Sequence, residues 1–165
     1  VWEISNEYTP GMDNTHENYQ SMIEATVDSP VVVSEVMASN ASYAPAEDGQ
    51  YYDYLELYNT ASEQVDLSGW YLSDDPEEPA RWRIPDITLA PGEYYIIFAS
   101  GKNRTQGELH TDFALSAGES VILTTPIGST ADRVELTQTE PDASLARSGS
   151  DWRECASPTP GKANG

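Results

Sequence analysis

Cysteine is nearly absent from this chain: Cys155 stands alone among 165 residues, so no intrachain disulfide can form. Basic residues are scarce too, 8 against 28 acidic ones, for a formal net charge of −20. A surface of that sign repels nucleic acid and anionic membranes, so neither is an expected partner. No apolar run approaches the roughly 20 residues of a bilayer-spanning helix, and no basic segment leads into an apolar one as in a secretory leader. Membrane insertion is therefore not expected. A phosphate-cradling glycine loop, a zinc-ligand spacing and a nucleophile elbow are all missing. What remains open is solubility, cation binding and a place outside the cytoplasm. At 38% hydrophobic and 10% aromatic residues the chain has the means for a core, and its length fits one domain.

Residues 1–30 are polar and lack alternation; HENYQSMIEATV within them is the only stretch with a short-helix pattern. From Val31 onward the texture changes. VVVSEVMAS, DYLELYN, VDLSGWYLS, RWRIP, EYYIIFAS, SVILTTP and ADRVELT are short runs of β-branched and aromatic residues, each bounded by turn formers. Such spacing predicts an all-β, antiparallel sandwich rather than alternating β and α units. In ITLAPGEYYIIF, Pro91-Gly92 has the chemistry of a tight turn and predicts a hairpin. EYYIIFAS is apolar on both faces, as an interior strand would be. In DYLELYN, Leu55 and Leu57 share a core face, leaving Tyr54, Glu56 and Tyr58 on a half-exposed one. Glu35 alternates with Val31, Val33 and Met37, which points it inward, where it would need backbone N–H donors or an arginine.

The order of these segments resembles the lamin tail domain, an immunoglobulin-like β-sandwich, in the form found in secreted bacterial proteins. The likeness is carried by VVVSEVMASN, DYLELYN, VDLSGWYLSDD, WRIP, LAPGEYYIIFASGK, LHTDFALSAGESVIL, GSTADRV and the closing SPTPGKAN, and covers about residues 31–164. It implies a secreted or cell-surface accessory module of a larger bacterial protein, of the kind joined to hydrolases or spore-coat kinase-like domains. No heptad-bearing rod of the nuclear lamins is present. The partners implied are neighbouring domains of the same polypeptide, and a cell-surface protein or a glycan.

Catalysis is not expected. Asp53 and Glu56, three apart on a strand, face opposite ways, and His16 and His110 read as solvated loop histidines without a nucleophile motif beside them. Cys155 reads as a small filler, because the matching slot near the N-terminus holds Ser5. No cofactor is called for, with calcium as the one alternative. Asp48 and Asp53 in DGQYYDYLE, and Asp74, Asp75, Glu77 and Glu78 in SDDPEEP, offer the loop oxygens that calcium favours, against the reading of solvated turns. Tyr51, Tyr52, Tyr54 and Tyr58, with Trp82, form the candidate surface for stacking on sugar rings, against the reading of half-buried packing. Structural tasks fall to Glu35, Glu56, Trp70, Trp152, Pro160 and Gly161.

The two ends of the chain share a spelling. Trp2, Thr9, Pro10, Gly11 and Asn14 recur as Trp152, Thr159, Pro160, Gly161 and Asn164, an offset of 152 − 2 = 150 positions throughout. Residues 1–14 then read as the tail end of a preceding module, 15–30 as a linker and 31–164 as one complete domain. Trp152 would anchor the last strand, and SPTPGKAN would end strand pairing and release the chain outward. The orphan copy at 1–14 would dock on a neighbouring molecule or stay unfolded. The function expected is a noncatalytic module that spaces or attaches other domains, with a carbohydrate-binding module or a calcium-stabilised adhesion domain as alternatives.

Overall fold

The computed structural model describes residues 28–137 and 140–165. The expected tail end over 1–14, nearly all of the expected linker with its helical stretch, and His16 lie outside the described residues.

Among the described residues there is no helix, and the strands run β1 (Val31–Met37), β2 (Tyr54–Asn59), β3 (Val65–Asp66), β4 (Tyr71–Ser73), β5 (Trp82–Arg83), β6 (Thr88–Leu89), β7 (Tyr94–Phe98), β8 (Ser120–Thr124), β9 (Thr130–Glu135), β10 (Ser144–Ser148) and β11 (Asp151–Cys155). Two sheets carry the fold, β11-β10-β1-β2-β7 and β5-β4-β8-β9, with β3-β6 as a short third ribbon. Every pairing between these strands is antiparallel. The facing sides meet in one core. Val31, Val33, Val36, Leu55, Leu57, Ile97 and Leu145 come from the first sheet, and Leu72, Trp82, Val121, Leu123 and Val134 from the second. Each such side chain contributes about 1.5–3 kcal/mol by leaving water, which is why period-two alternation selects this architecture. The chain is an immunoglobulin-like sandwich.

Several local expectations are corrected by how the strands pair. Pro91-Gly92 does make the turn: the Glu93 N–H donates to the Ala90 carbonyl at 3.0 Å and Gly92 has φ 73°. No hairpin results, because β6 pairs with β3 and β7 with β2. The turn passes the chain between sheets. Strand β7 is not interior; it closes one end of the five-stranded sheet. Its two faces are apolar because both are covered, Ile97 and Ala99 by the main core and Ile96 and Phe98 by a satellite cluster with Met37, Ala46 and Tyr54.

Glu35 does not share a face with Val31 and Val33. The register of β1 against β2 slips between Val33 and Glu35, so that Ser34 is extra and parity reverses. Val36 then continues the core, while Glu35 and Met37 lie on the outer face of the sheet. The backbone freed at this bulge is satisfied from the side: Val33 N–H donates to Asp132 Oδ2 at 2.8 Å, and Arg147 Nε donates to the Val33 carbonyl at 2.8 Å. Asp132 and Arg147 pair with each other across the same point. On the outer face of β2 only Tyr58 is half-exposed, since Tyr54 and Glu56 have no accessible surface.

Candidate functional site

The bulge places two like charges side by side. Glu35 and Glu56 are cross-strand partners on the outer face, both at 0% exposure, an arrangement that repels unless donors surround it. Five neutral donors do. Glu35 Oε1 accepts from the Ser144 hydroxyl at 2.5 Å and the Thr159 N–H at 3.0 Å, and Oε2 from the Tyr54 hydroxyl at 3.3 Å. Glu56 Oε1 accepts from the Ser34 hydroxyl at 2.5 Å, and Oε2 from the Gly161 N–H.

Two of these donors come from the closing segment, which does not leave the sheet. It folds back over the carboxylates, and the expectation of an outward release is corrected. Lys162 N–H donates to the Thr159 carbonyl at 3.0 Å, closing a turn with Pro160 and Gly161 at its centre. Proline presets the first central φ, and Gly161 takes φ 77°, a left-handed value that aims its N–H at Glu56. Asn164 fastens the far end, its side-chain amide donating to the carbonyls of Ser34 at 2.8 Å and Arg147 at 3.0 Å. Residues 157–164 thus form a latch. Trp152 is half-buried against the core, with the Arg147 guanidinium 4.6 Å over its ring, while Trp70 lies in the core itself.

Burial dominates the electrostatics. It pushes the Glu56 carboxyl up to about 7; the Ser34 and Gly161 hydrogen bonds pull the other way, and the charge of Glu35 adds to the rise. The same burial, with the two carboxylates beside it, holds the Tyr54 hydroxyl far above the tyrosine range, so it remains a donor.

A second polar cluster escaped the sequence reading. His110 is not a solvated loop histidine; it is 1% exposed, stacked on Phe98 at 5.2 Å and met by the edge of Tyr52 at 5.6 Å. Its Nδ1 lies 2.8 Å from Ser100 Oγ and its Nε2 3.0 Å from Glu108 Oε1. A carboxylate accepts only, so Nε2 carries a proton; in the neutral imidazole the serine hydroxyl then donates to Nδ1. This is the order of groups in a hydrolytic triad with the two ring nitrogens exchanged, but the imidazole is enclosed. Four open clefts among the described residues are lined by other groups: Arg81 and Asp112, Asp74 and Arg133, Arg83 and Asp86, and Tyr58 and Tyr94. The cluster pins the loop that returns to Phe98.

The expected calcium oxygens are not gathered. Asp48 accepts from Lys102 Nζ at 2.7 Å, the Tyr52 hydroxyl at 2.8 Å and the Gln50 N–H, and the lysine bond above all lowers its carboxyl. Asp53 accepts from the Asn40 N–H and is raised by burial. Asp74 pairs with Arg81 at 2.8 Å, Asp75 caps the Glu77 N–H, and the side chains of Glu77 and Glu78 are at the surface. Among the described residues no group of three or more His, Cys, Asp or Glu side chains converges as a metal set.

The expected sugar platform is broken up as well. Tyr54 and Trp82 are buried, and the indole N–H of Trp82 donates to Asn103 Oδ1 at 3.0 Å. Tyr52 lies under Lys102, whose Nζ is 4.2 Å from the ring centroid, and only Tyr51 is exposed. Tyr58 stacks instead on Tyr94, centroids 4.3 Å apart. Cys155 is a half-buried free thiol whose Sγ donates to the Ser157 carbonyl.

Sequence reasoning missed Ser34, Ser144, Asp132 and Arg147, since single polar residues in strands carry no signal of the partner that crosses the sheet. The recurring Thr-Pro-Gly and Asn landmarks did mark the latch. Compared with known families, residues 24–138 match the Lamin Tail Domain. The chain belongs to the lamin tail domain family. A search of curated protein sequences returns no match. Strands β10 and β11 and the latch lie beyond the matched span, yet they extend the sheet that β1 and β2 begin.

Proposed function

We propose that the chain is a noncatalytic extracellular module that spaces or attaches domains of a larger secreted or surface protein. One observation carries the reading: the three polar clusters described above are closed by partners from the same fold. Glu35 and Glu56 are held by the latch, His110 by Ser100 and Glu108, and Asp48 by Lys102. A catalytic site keeps at least one such group free to meet substrate. The acidic surface supports solubility and mutual repulsion of copies outside the cell. The test is a turnover panel of ester, glycoside, peptide and phosphoester substrates. No turnover is expected; hydrolysis lost in Ser100→Ala or Glu56→Gln would overturn the reading.

A glycan reading is favoured by a different observation from the one sequence suggested. The Tyr58–Tyr94 stack borders an open cleft that also presents Arg153, Ser148 and Asn164. Ring planes beside a guanidinium suit an acidic sugar. A glycan array should then show saturable binding to uronate-containing glycans, lost in Tyr94→Ala and Arg153→Ala. Absence of binding across the array removes this reading and leaves the first.

A further inference from the structure

The latch explains which residues the two chain ends share. In 151–164 the shared side chains, Trp152, Thr159, Pro160 and Asn164, are all at least partly buried. Gly161, exposed itself, supplies the N–H that meets Glu56. Thr159 supplies the N–H for Glu35, and its hydroxyl donates to Asn164 Oδ1 at 3.2 Å. The unshared positions Arg153, Glu154, Ala156, Ser157, Lys162 and Ala163 are exposed. Two unshared positions are not exposed: half-buried Cys155, replaced by the equally small Ser5, and buried Pro158, replaced by Tyr8. The spelling common to both ends is therefore the set of contacts that seat this segment: Thr159, Gly161 and Asn164 on the outer face, and Trp152 against the main core.

We propose that residues 1–14 are a second ligand for this sheet and bind it in trans: one copy of the chain offers Thr9, Gly11 and Asn14 to the Glu35–Glu56 groove of another and Trp2 to the core-side place of Trp152, displacing that copy's own closing segment 151–164. The contact joins two different surfaces, so it builds a closed pair where two copies exchange their segments reciprocally and a ring or filament where they do not. The proposal goes beyond the spacing role, since a chain that never self-associates would still space domains.

Charge sets the conditions. Residues 1–14 hold Glu3, Glu7 and Asp13 and no base, whereas 151–164 balance Asp151 and Glu154 with Arg153 and Lys162. Against a surface of the same sign the incoming segment is repelled, so association strengthens as salt screens it. The resident latch is tethered and starts with the advantage of effective concentration.

Sedimentation equilibrium of the full chain over a concentration series, at low salt and at about 0.5 M sodium chloride, tests this. Asn164→Ala, which loosens the resident latch, should associate at about tenfold lower concentration than the unaltered chain. Adding Trp2→Ala and Asn14→Ala should return it to monomer. As a second measurement, a synthetic peptide of residues 1–14 should bind the full Trp2→Ala/Asn14→Ala chain saturably and be displaced by a peptide of residues 151–164. Association that survives the Trp2 and Asn14 substitutions, monomer at every concentration, or a peptide without binding into the millimolar range would each overturn the proposal.

Discussion

The buried pair Glu35–Glu56 and the loop carboxylate Asp48 are the same functional group under opposite rules. Glu35 and Glu56 have no accessible surface, no cation among their hydrogen-bond partners, and five neutral donors. Asp48 is open to water and rests against Lys102. Burial drives Glu56 up, and the lysine drives Asp48 down. The first region depends on distant segments, the chain's end above all, because only backbone and hydroxyl donors brought from elsewhere can replace lost water. The second needs one long side chain and little else.

The largest effect should come from emptying the buried site. Glu35→Ala leaves the Ser144 hydroxyl, the Tyr54 hydroxyl and the Thr159 N–H without their acceptor, in a place water does not reach. Bonds to a charged group contribute about 1.5–3 kcal/mol each and are not additive, so a loss of about 3 kcal/mol is expected in urea unfolding. A loss near that of a surface substitution would show that the latch holds without the carboxylate.

Acidity offers a sharper cut between the regions. The unfolded chain loses the Glu56 proton near the ordinary glutamate value of 4.5, while the folded chain keeps it to about 7. The folded state therefore binds more protons between these values, and this contribution to stability is full below 4.5 and declines as pH rises through 7. Asp53, also raised by burial, acts in the same direction, as does relief of the chain's negative charge on acidification. Glu56→Gln isolates the carboxyl: the melting temperature should fall by a few degrees between pH 5 and 8 in the parent, and this slope should flatten in the variant. An equal slope in both would assign the effect to net charge.

The turn of the latch is the next weaker point. Gly161→Ala meets no atom within 4 Å, so its effect is backbone strain alone at φ 77°. A left-handed alanine costs about 1–2 kcal/mol, measurable by the same unfolding experiment. A matched Gly118→Ala at φ 90°, also free of neighbours, serves as the comparison in a turn that touches neither carboxylate.

What sequence made legible follows range. Alternation and turn residues act within a few positions, so the strands, the Pro91-Gly92 turn and the sandwich could be read directly. Pairing partners are chosen across the chain. Nothing in ITLAPGEYYIIF says that its two strands enter different sheets, and nothing in VVVSEV marks Ser34 as the residue that reverses parity for Glu35. Strand β10, SLARS, passed unnoticed because Ser144 and Arg147 serve partners on β1, not a local pattern. The latch was half legible: its residues stood out by repetition, but its direction depended on two carboxylates more than a hundred positions away.

The smallest effect belongs to the exposed region. Lys102 bonds Asp48 at 2.7 Å and the Tyr52 hydroxyl at 2.6 Å, yet the ammonium and the carboxylate are each 44% exposed. Exposed pairs of this kind contribute little, because solvent screens them and two long side chains lose freedom. Lys102→Met should therefore leave the melting temperature almost unchanged while the Asp48 carboxyl, relieved of its main stabilising partner, returns toward the ordinary range in an NMR titration. The same variant probes calcium. With Lys102 gone, Asp48 still has no second carboxylate from the SDDPEEP loop beside it, so millimolar calcium should raise the melting temperature no more than magnesium does. A calcium-selective rise in the variant but not in the parent would mean that the lysine occupies a cation's place, and Asp48 would then join the buried pair as a carboxylate whose partner is interchangeable.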